Sequence, residues 1–197
     1  MQKCVEQSFG LRASNDYEIK GEKVDLKSKI RRIPEFKGVV FWDITPLLKD
    51  RNAFKECVKR MAEHCRDKSV DVVVSSEARG FIFGGALAYE LGAGFVPIRK
   101  KGKLPWKTVQ LTYEKEYESD TVEVHEDSIE KGQKVLLVDD LLATGGTIKA
   151  NAELVEKLGG RIVGMVFLIE LGYLHGRGAI GDKYEVFSLI SYEASDG

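Results

Sequence analysis

The stretch "VLLVDDLLATGGT", Val135 to Thr147, decides the reading of this chain. Apolar residues run straight into Asp139 and Asp140, and a loop of small residues follows. A short apolar run of this kind reads as a strand buried on both faces. In a parallel sheet, ligands collect at the carboxyl ends of the strands, where the two aspartates stand. The helix predicted to begin near Thr147 offers unpaired N–H groups and a partial positive charge, which suit phosphate. Gly145 and Gly146 let the backbone close on an anion without a Cβ in the way. Thr144 and Thr147 add hydroxyl donors. The aspartates would repel phosphate, so they suit a neighbouring sugar diol or the water shell of Mg²⁺. The order describes a cup for a phosphorylated ribose. Neither G-x-x-x-x-G-K-[ST] nor a G-x-G-x-x-G after a strand is present.

Outward from that stretch, the bulk properties set bounds. The 197 residues suffice for one α/β domain with a full core. Basic residues number 30 and acidic ones 31, so no global field attracts nucleic acid or an anionic membrane. Cys4, Cys57 and Cys65 lack metal-type spacing, and their odd number argues for a reducing cytoplasm. Neither a signal peptide nor a membrane span is read. His64, His125 and His175 show no metal spacing and read as structural or surface residues.

Periodicity predicts the remaining elements. Residues 1–25 read as a polar N-terminal extension, and 26–197 as a single domain. A short helix is expected over 23–36, stopped before Pro34. Residues 38–44 read as a loop or short strand, with Val39 in its core. Residues 51–68 form an amphipathic helix that buries Cys57 and Cys65. Strands are expected at 70–76, 94–100, 133–140, 161–170 and 184–192, with helices at 80–92 and 147–160. The alternation implies a mainly parallel twisted sheet flanked by helices. Residues 108–128 alternate around a charged middle and predict a β-hairpin with a flexible tip.

The string at 135–147 resembles the phosphoribosyl-pyrophosphate (PRPP) motif of type I phosphoribosyltransferases. Taken with "GVVFWDITPLLKD", "SSEARGFIFG", "IRKKGKLP" and "YEKEY", it is similar to the adenine phosphoribosyltransferase family over residues 28 to 192. The resemblance implies the type I fold, with a small hood built from about 26–50 and the C-terminal segment. It implies conversion of adenine and PRPP to AMP and pyrophosphate with Mg²⁺, in purine salvage, by a cytoplasmic homodimer. By resemblance, Asp139 and Asp140 hold the ribose hydroxyls and lie near the ion, which binds mainly through substrate and waters. Ala143, Thr144, Gly145, Gly146 and Thr147 take the 5′-phosphate.

The other motifs are assigned in the same way. Glu77, Ala78 and Arg79 form the pyrophosphate loop, with a cis peptide expected at Glu77–Ala78. Arg79 is also expected to serve the chemistry. Arg99 and Lys103 add cations for the leaving group, whereas Lys100 reads as a solvated face. The Val40 backbone reads the adenine edge and Phe41 stacks on the ring. Glu116 handles the base proton, beside Tyr117 in the loop pair. One position departs from the family pattern: Trp42 stands where arginine or lysine is common, which bears on base specificity. Two alternatives accompany this reading. One is a phosphoribosyltransferase for another purine base, separable by comparing adenine, hypoxanthine and guanine. The other is a PRPP-binding regulator, separable by DNA binding.

Overall fold

The computed structural model describes residues 24–114 and 119–196. Most of the expected N-terminal extension therefore lies outside the described residues, as do Glu116 and Tyr117.

The core element is β3 (Val72–Ser76), every residue of which is buried. Its β-branched residues pack on both faces, as in a strand covered by helices on each side. It pairs in parallel with β4 (Gly94–Lys100) on one side and β7 (Lys134–Leu142) on the other. β8 (Arg161–Leu171) and β9 (Val186–Tyr192) extend the parallel sheet beyond β7. The hairpin β5 (Thr108–Glu114) and β6 (Ser119–His125) joins at the other edge, antiparallel to β4. The full order is β5-β6-β4-β3-β7-β8-β9.

Two apolar layers cover this sheet. On one face α2 (Arg51–Cys65) and α3 (Gly80–Leu91) bury Cys57, Met61, Phe83 and Leu87 against Val73, Leu136 and Val138. On the other, α4 (Gly146–Lys157) buries Ile148, Leu154 and Val155 against Val74, Leu137 and Phe167. Alternate residues of β3 and β7 thus feed opposite layers, as the pleat requires. Cys57 and Cys65 are core residues, as expected, and burial pushes the Cys57 thiol up to about 12.

The segment before the sheet corrects the helical expectation for 23–36. Only Lys27–Lys29 form a 3₁₀ turn. Residues Arg31–Phe36 are β1, paired antiparallel with β2 (Val39–Asp43). Pro34 lies where the register breaks, between Ile33 and Phe36, so its missing N–H interrupts no ladder bond. Lys37 and Gly38 turn the ribbon with φ of 55° and 83°, the geometry that matches strand twist in a two-residue hairpin. Val39, expected in the core, is 61% exposed, because the ribbon has only one covered face.

That covered face carries Trp42, which is 7% exposed. Its ring stacks on Tyr192 of β9 with centroids 3.6 Å apart and planes 17° apart. Lys27 Nζ lies 4.7 Å from the Tyr192 ring centroid and pairs with Asp196 at 2.9 Å. The ribbon is therefore pinned to the end of the sheet by aromatic stacking. Replacing Trp42 by Ala is expected to cost about 3–5 kcal/mol, as for other buried large aromatics, measured by urea unfolding.

Candidate active site

The sheet reverses its winding between β3 and β7, and the site forms there, at their carboxyl ends. β7 runs to Leu142, two residues further than expected, so Asp139 and Asp140 lie inside the strand near its carboxyl end, as expected. Strand geometry sends their side chains to opposite faces. Asp139 reaches the start of α3, where a Cβ on Gly80 would lie 2.5 Å from Asp139 Oδ1 and 2.6 Å from Ser75 Oγ. Glycine is required at that crossing. Asp139 Oδ1 also accepts the Asp140 N–H at 2.9 Å.

Burial, and then the neighbouring Asp140 charge, hold the Asp139 carboxyl well above the usual carboxylate range. Burial also raises Asp140, although Arg79 opposes the shift. Arg79 Nε sits 2.8 Å from Asp140 Oδ2. The same guanidinium lies 5.1 Å from the centroid of the Phe41 ring, within cation–π range. One side chain thus bridges the ribbon β1–β2 and the acidic strand end. The peptide Glu77–Ala78 is cis.

After β7 the chain turns through Ala143, Thr144 and Gly145 into α4. Gly145 has φ +85°, and a Cβ there would meet the Gly176 carbonyl oxygen at 2.5 Å. The opposing wall is α5 (Gly176–Ile180), held by Arg177, which donates to both oxygens of Glu170 at 2.7 Å. No side chain caps α4, which leaves its first N–H groups available to a ligand.

Two cavities meet at this turn. The polar one, of about 530 Å³, is lined by Glu77, Ala78, Arg79, Lys100, Asp139, Asp140 and the loop through Thr147. The larger, of about 1240 Å³, is lined mainly by apolar groups, including Val40, Phe41, Leu171 and Tyr173. Arg79, Ala143, Thr144, Gly146 and Thr147 line both. The structure thus brings together all the predicted phosphate, ribose and base residues that it describes.

Two of the predicted cations stand elsewhere. Arg99 Nε pairs with Glu77 Oε2 at 2.6 Å, and Arg99 is not among the residues lining the polar cavity. Lys103 lies in the exposed turn after β4 and contributes its backbone N–H to Glu123. Lys100, read as a solvated face, lines the polar cavity instead. Strand alternation explains the exchange, since Arg99 and Lys100 point to opposite faces. The walls contributed by Tyr113, Leu171 and Tyr173 carried no local signal and were missed.

Comparison with known proteins matches this geometry. The phosphoribosyl transferase domain family matches residues 45–195. The adenine phosphoribosyltransferase of Thermotoga maritima is 57% identical over 172 residues, covering 86% of this chain and 99% of that protein. The chain belongs to the adenine phosphoribosyltransferase family. Among solved structures, the adenine phosphoribosyltransferase of Thermoanaerobacter pseudethanolicus superposes with a TM-score of 0.82 at 50% identity, covering 85% of this chain and 98% of that one. The Saccharomyces cerevisiae member, solved with adenine bound, superposes with a TM-score of 0.79 at 39% identity, covering 83% of this chain and 96% of that one. The type I α/β fold of the family is thereby the fold of this chain.

Two outcomes follow from the geometry. Gly145→Ala places a Cβ against the Gly176 carbonyl at positive φ, and is expected to lower stability by at least about 1 kcal/mol. Thermal unfolding checks it. Asp139→Asn removes a carboxylate whose native pKa is raised. The favourable contribution of the protonated Asp139 is complete below the ordinary aspartate value of about 3.9 and is lost as pH rises through the raised native value. The variant is therefore expected to be more stable than wild type at pH 7, with the difference shrinking in acid. Denaturant melts across pH measure it.

Proposed function

We propose that this chain transfers the phosphoribosyl group of PRPP to adenine, forming AMP and releasing pyrophosphate, in purine salvage. The observation that carries the reading is the junction of a polar cup with an apolar slot, shared along one side by the loop 143–147 and bridged by Arg79. The relative solved with adenine supports adenine as the base.

The proposed roles follow from position. The α4 amino end, with Ala143, Thr144, Gly145, Gly146 and Thr147, receives the 5′-phosphate. Asp139 and Asp140 accept hydrogen bonds from the ribose hydroxyls, which relieves their unfavourable burial. The base stacks on Phe41 while the Val40 backbone reads its edge. Glu77, Ala78, Arg79 and Lys100 face the pyrophosphate, and Arg99 steadies Glu77. Lys103 reaches the leaving group only through movement of its turn.

In the reaction a base nitrogen forms its bond to the ribose carbon as the carbon–pyrophosphate oxygen bond breaks. Charge builds on the leaving group, and fixed cations stabilise it more in the transition state than before. The adenine imidazole proton passes to Glu116, with Tyr117 beside it in the loop pair; both lie outside the described residues. The oxygen-only donors Asp139 and Asp140 suit Mg²⁺. No group of three or more possible metal ligands occurs among the described residues. When bound, Mg²⁺ neutralises charge on the diphosphate.

The β1–β2 ribbon and the C-terminal segment, locked by Trp42 and Tyr192, form the hood over the base, within a single domain from residue 26 onward. Trp42 exchanges a charge for this stack, so base selection rests on Val40 and Phe41. A homodimer is supported by an apolar face on α3 and β4: Ile82, Tyr89 and Phe95 are 40%, 89% and 37% exposed. A cytoplasmic location is supported by the free, buried Cys57 and Cys65. No helix among the described residues is long and apolar enough to cross a membrane.

The test is AMP formation from adenine and PRPP with Mg²⁺, against hypoxanthine and guanine. Wild type is expected to use adenine by preference. Glu116→Gln is expected to lose about 100-fold or more in kcat, the scale of a lost general base. Absence of turnover with adenine would sink the reading.

A further inference from the structure

Tyr113 stands on β5, the first arm of the hairpin, and its hydroxyl lies 3.1 Å from Thr147 Oγ1 in the first turn of α4. A Cβ on Gly146 would lie 3.8 Å from the Tyr113 ring, so the ring packs on the phosphate loop itself. Thr147 lines both cavities, while Leu111, Thr112 and Tyr113 supply the hairpin wall of the larger one. The same side chain therefore touches the proposed phosphate site and forms part of the proposed base site.

We propose that Tyr113 is a positioning residue that couples occupancy of the phosphate loop to the wall of the base cavity. The proposal rests on the phosphoribosyl reading of that loop. Each hydroxyl has one proton and two lone pairs. Without an anion, either Tyr113 or Thr147 can donate to the other. An anion at the loop claims the Thr147 proton, leaving Thr147 only lone pairs to offer, so Tyr113 becomes the donor. The chain Tyr113–Thr147–anion then runs one way, and each bond polarises the next. β5 is held more firmly against α4, and the wall beside Phe41 is ordered before the base arrives. By linkage, a sugar phosphate tightens the base and the base tightens the sugar phosphate.

Calorimetric titration of adenine, with and without ribose 5-phosphate, tests this. Ribose 5-phosphate fills the loop but has no leaving group, so no turnover occurs. In wild type it is expected to tighten adenine binding. Tyr113→Phe keeps the ring and its packing and removes only the hydroxyl. Whatever its affinity for each ligand alone, the ratio of its adenine affinities with and without ribose 5-phosphate is expected to fall roughly fivefold, the size of one hydrogen bond. Thr147→Ser keeps a hydroxyl and is expected to retain the enhancement. Hydrogen exchange of residues 109–114 should slow with ribose 5-phosphate in wild type and not in Tyr113→Phe. Undiminished enhancement in Tyr113→Phe overturns the proposal. So does a wild type that binds both ligands independently, which leaves the assigned function standing. A wild type that fails to bind ribose 5-phosphate overturns both.

Discussion

The close packing of Gly145 on Gly176 is the constraint on which the site depends. The loop must leave β7, pass under α5 and enter α4 within a few residues, and no Cβ fits at the crossing. The positive φ of Gly145 turns the amino end of α4 toward the cavity. The opposing wall is kept in place from behind by the two-pronged Arg177–Glu170 pair, whose Glu170 is 9% exposed. Arg177 also donates to the Val186 carbonyl at 2.9 Å, tying the wall to β9. A half-exposed guanidinium set on both oxygens of a nearly buried carboxylate gives direction as well as attraction. The loop 143–147 is thus braced, through its opposing wall, against the strands beyond it.

A second close approach does the complementary work. Gly80 lets Asp139 come down on the start of α3, and the resulting burial raises its pKa together with that of Asp140. Arg79, paired with Asp140, offsets part of this cost at both aspartates. The two raised carboxyls therefore present an electrostatic demand for hydrogen-bond donors and positive charge. On the proposed reading, a sugar diol and a hydrated cation answer that demand. Charge in the polar cup and apolar surface in the adjoining slot share the reacting region between them.

The hairpin edge is built on another buried carboxylate. Glu123, 2% exposed, accepts the N–H groups of Lys103 and Leu104 and a hydrogen bond from the Gln110 amide. Burial works against its charge, but these donors prevail and hold its pKa below the usual range. The cationic turn after β4 and the base of the hairpin are thereby fixed to one another. Its charge is an organising feature of the fold, distinct from the two aspartates that face the cavity.

The sequence alone determined the alternating α/β order and the strand–glycine–helix turn at 135–147, and it singled out Arg79, Phe41 and the aspartates, which the fold brings to two adjoining cavities. These are local: apolar runs, glycine turns and clustered charges announce themselves within a dozen positions. It also misled where local pattern was weak. The segment at 31–36 has enough charge to look helical, yet its edge pairing with β2 was decided by a partner strand and a two-residue turn. Trp42 gave no local hint of Tyr192, 150 positions away, because stacking across a sheet edge leaves no period in either segment. Whether Arg99 or Lys100 faces the cavity depends on the phase of β4 against its neighbours, which only the assembled sheet sets. The same holds for Tyr113 on Thr147, where two distant segments meet because packing, and no motif, brings them together.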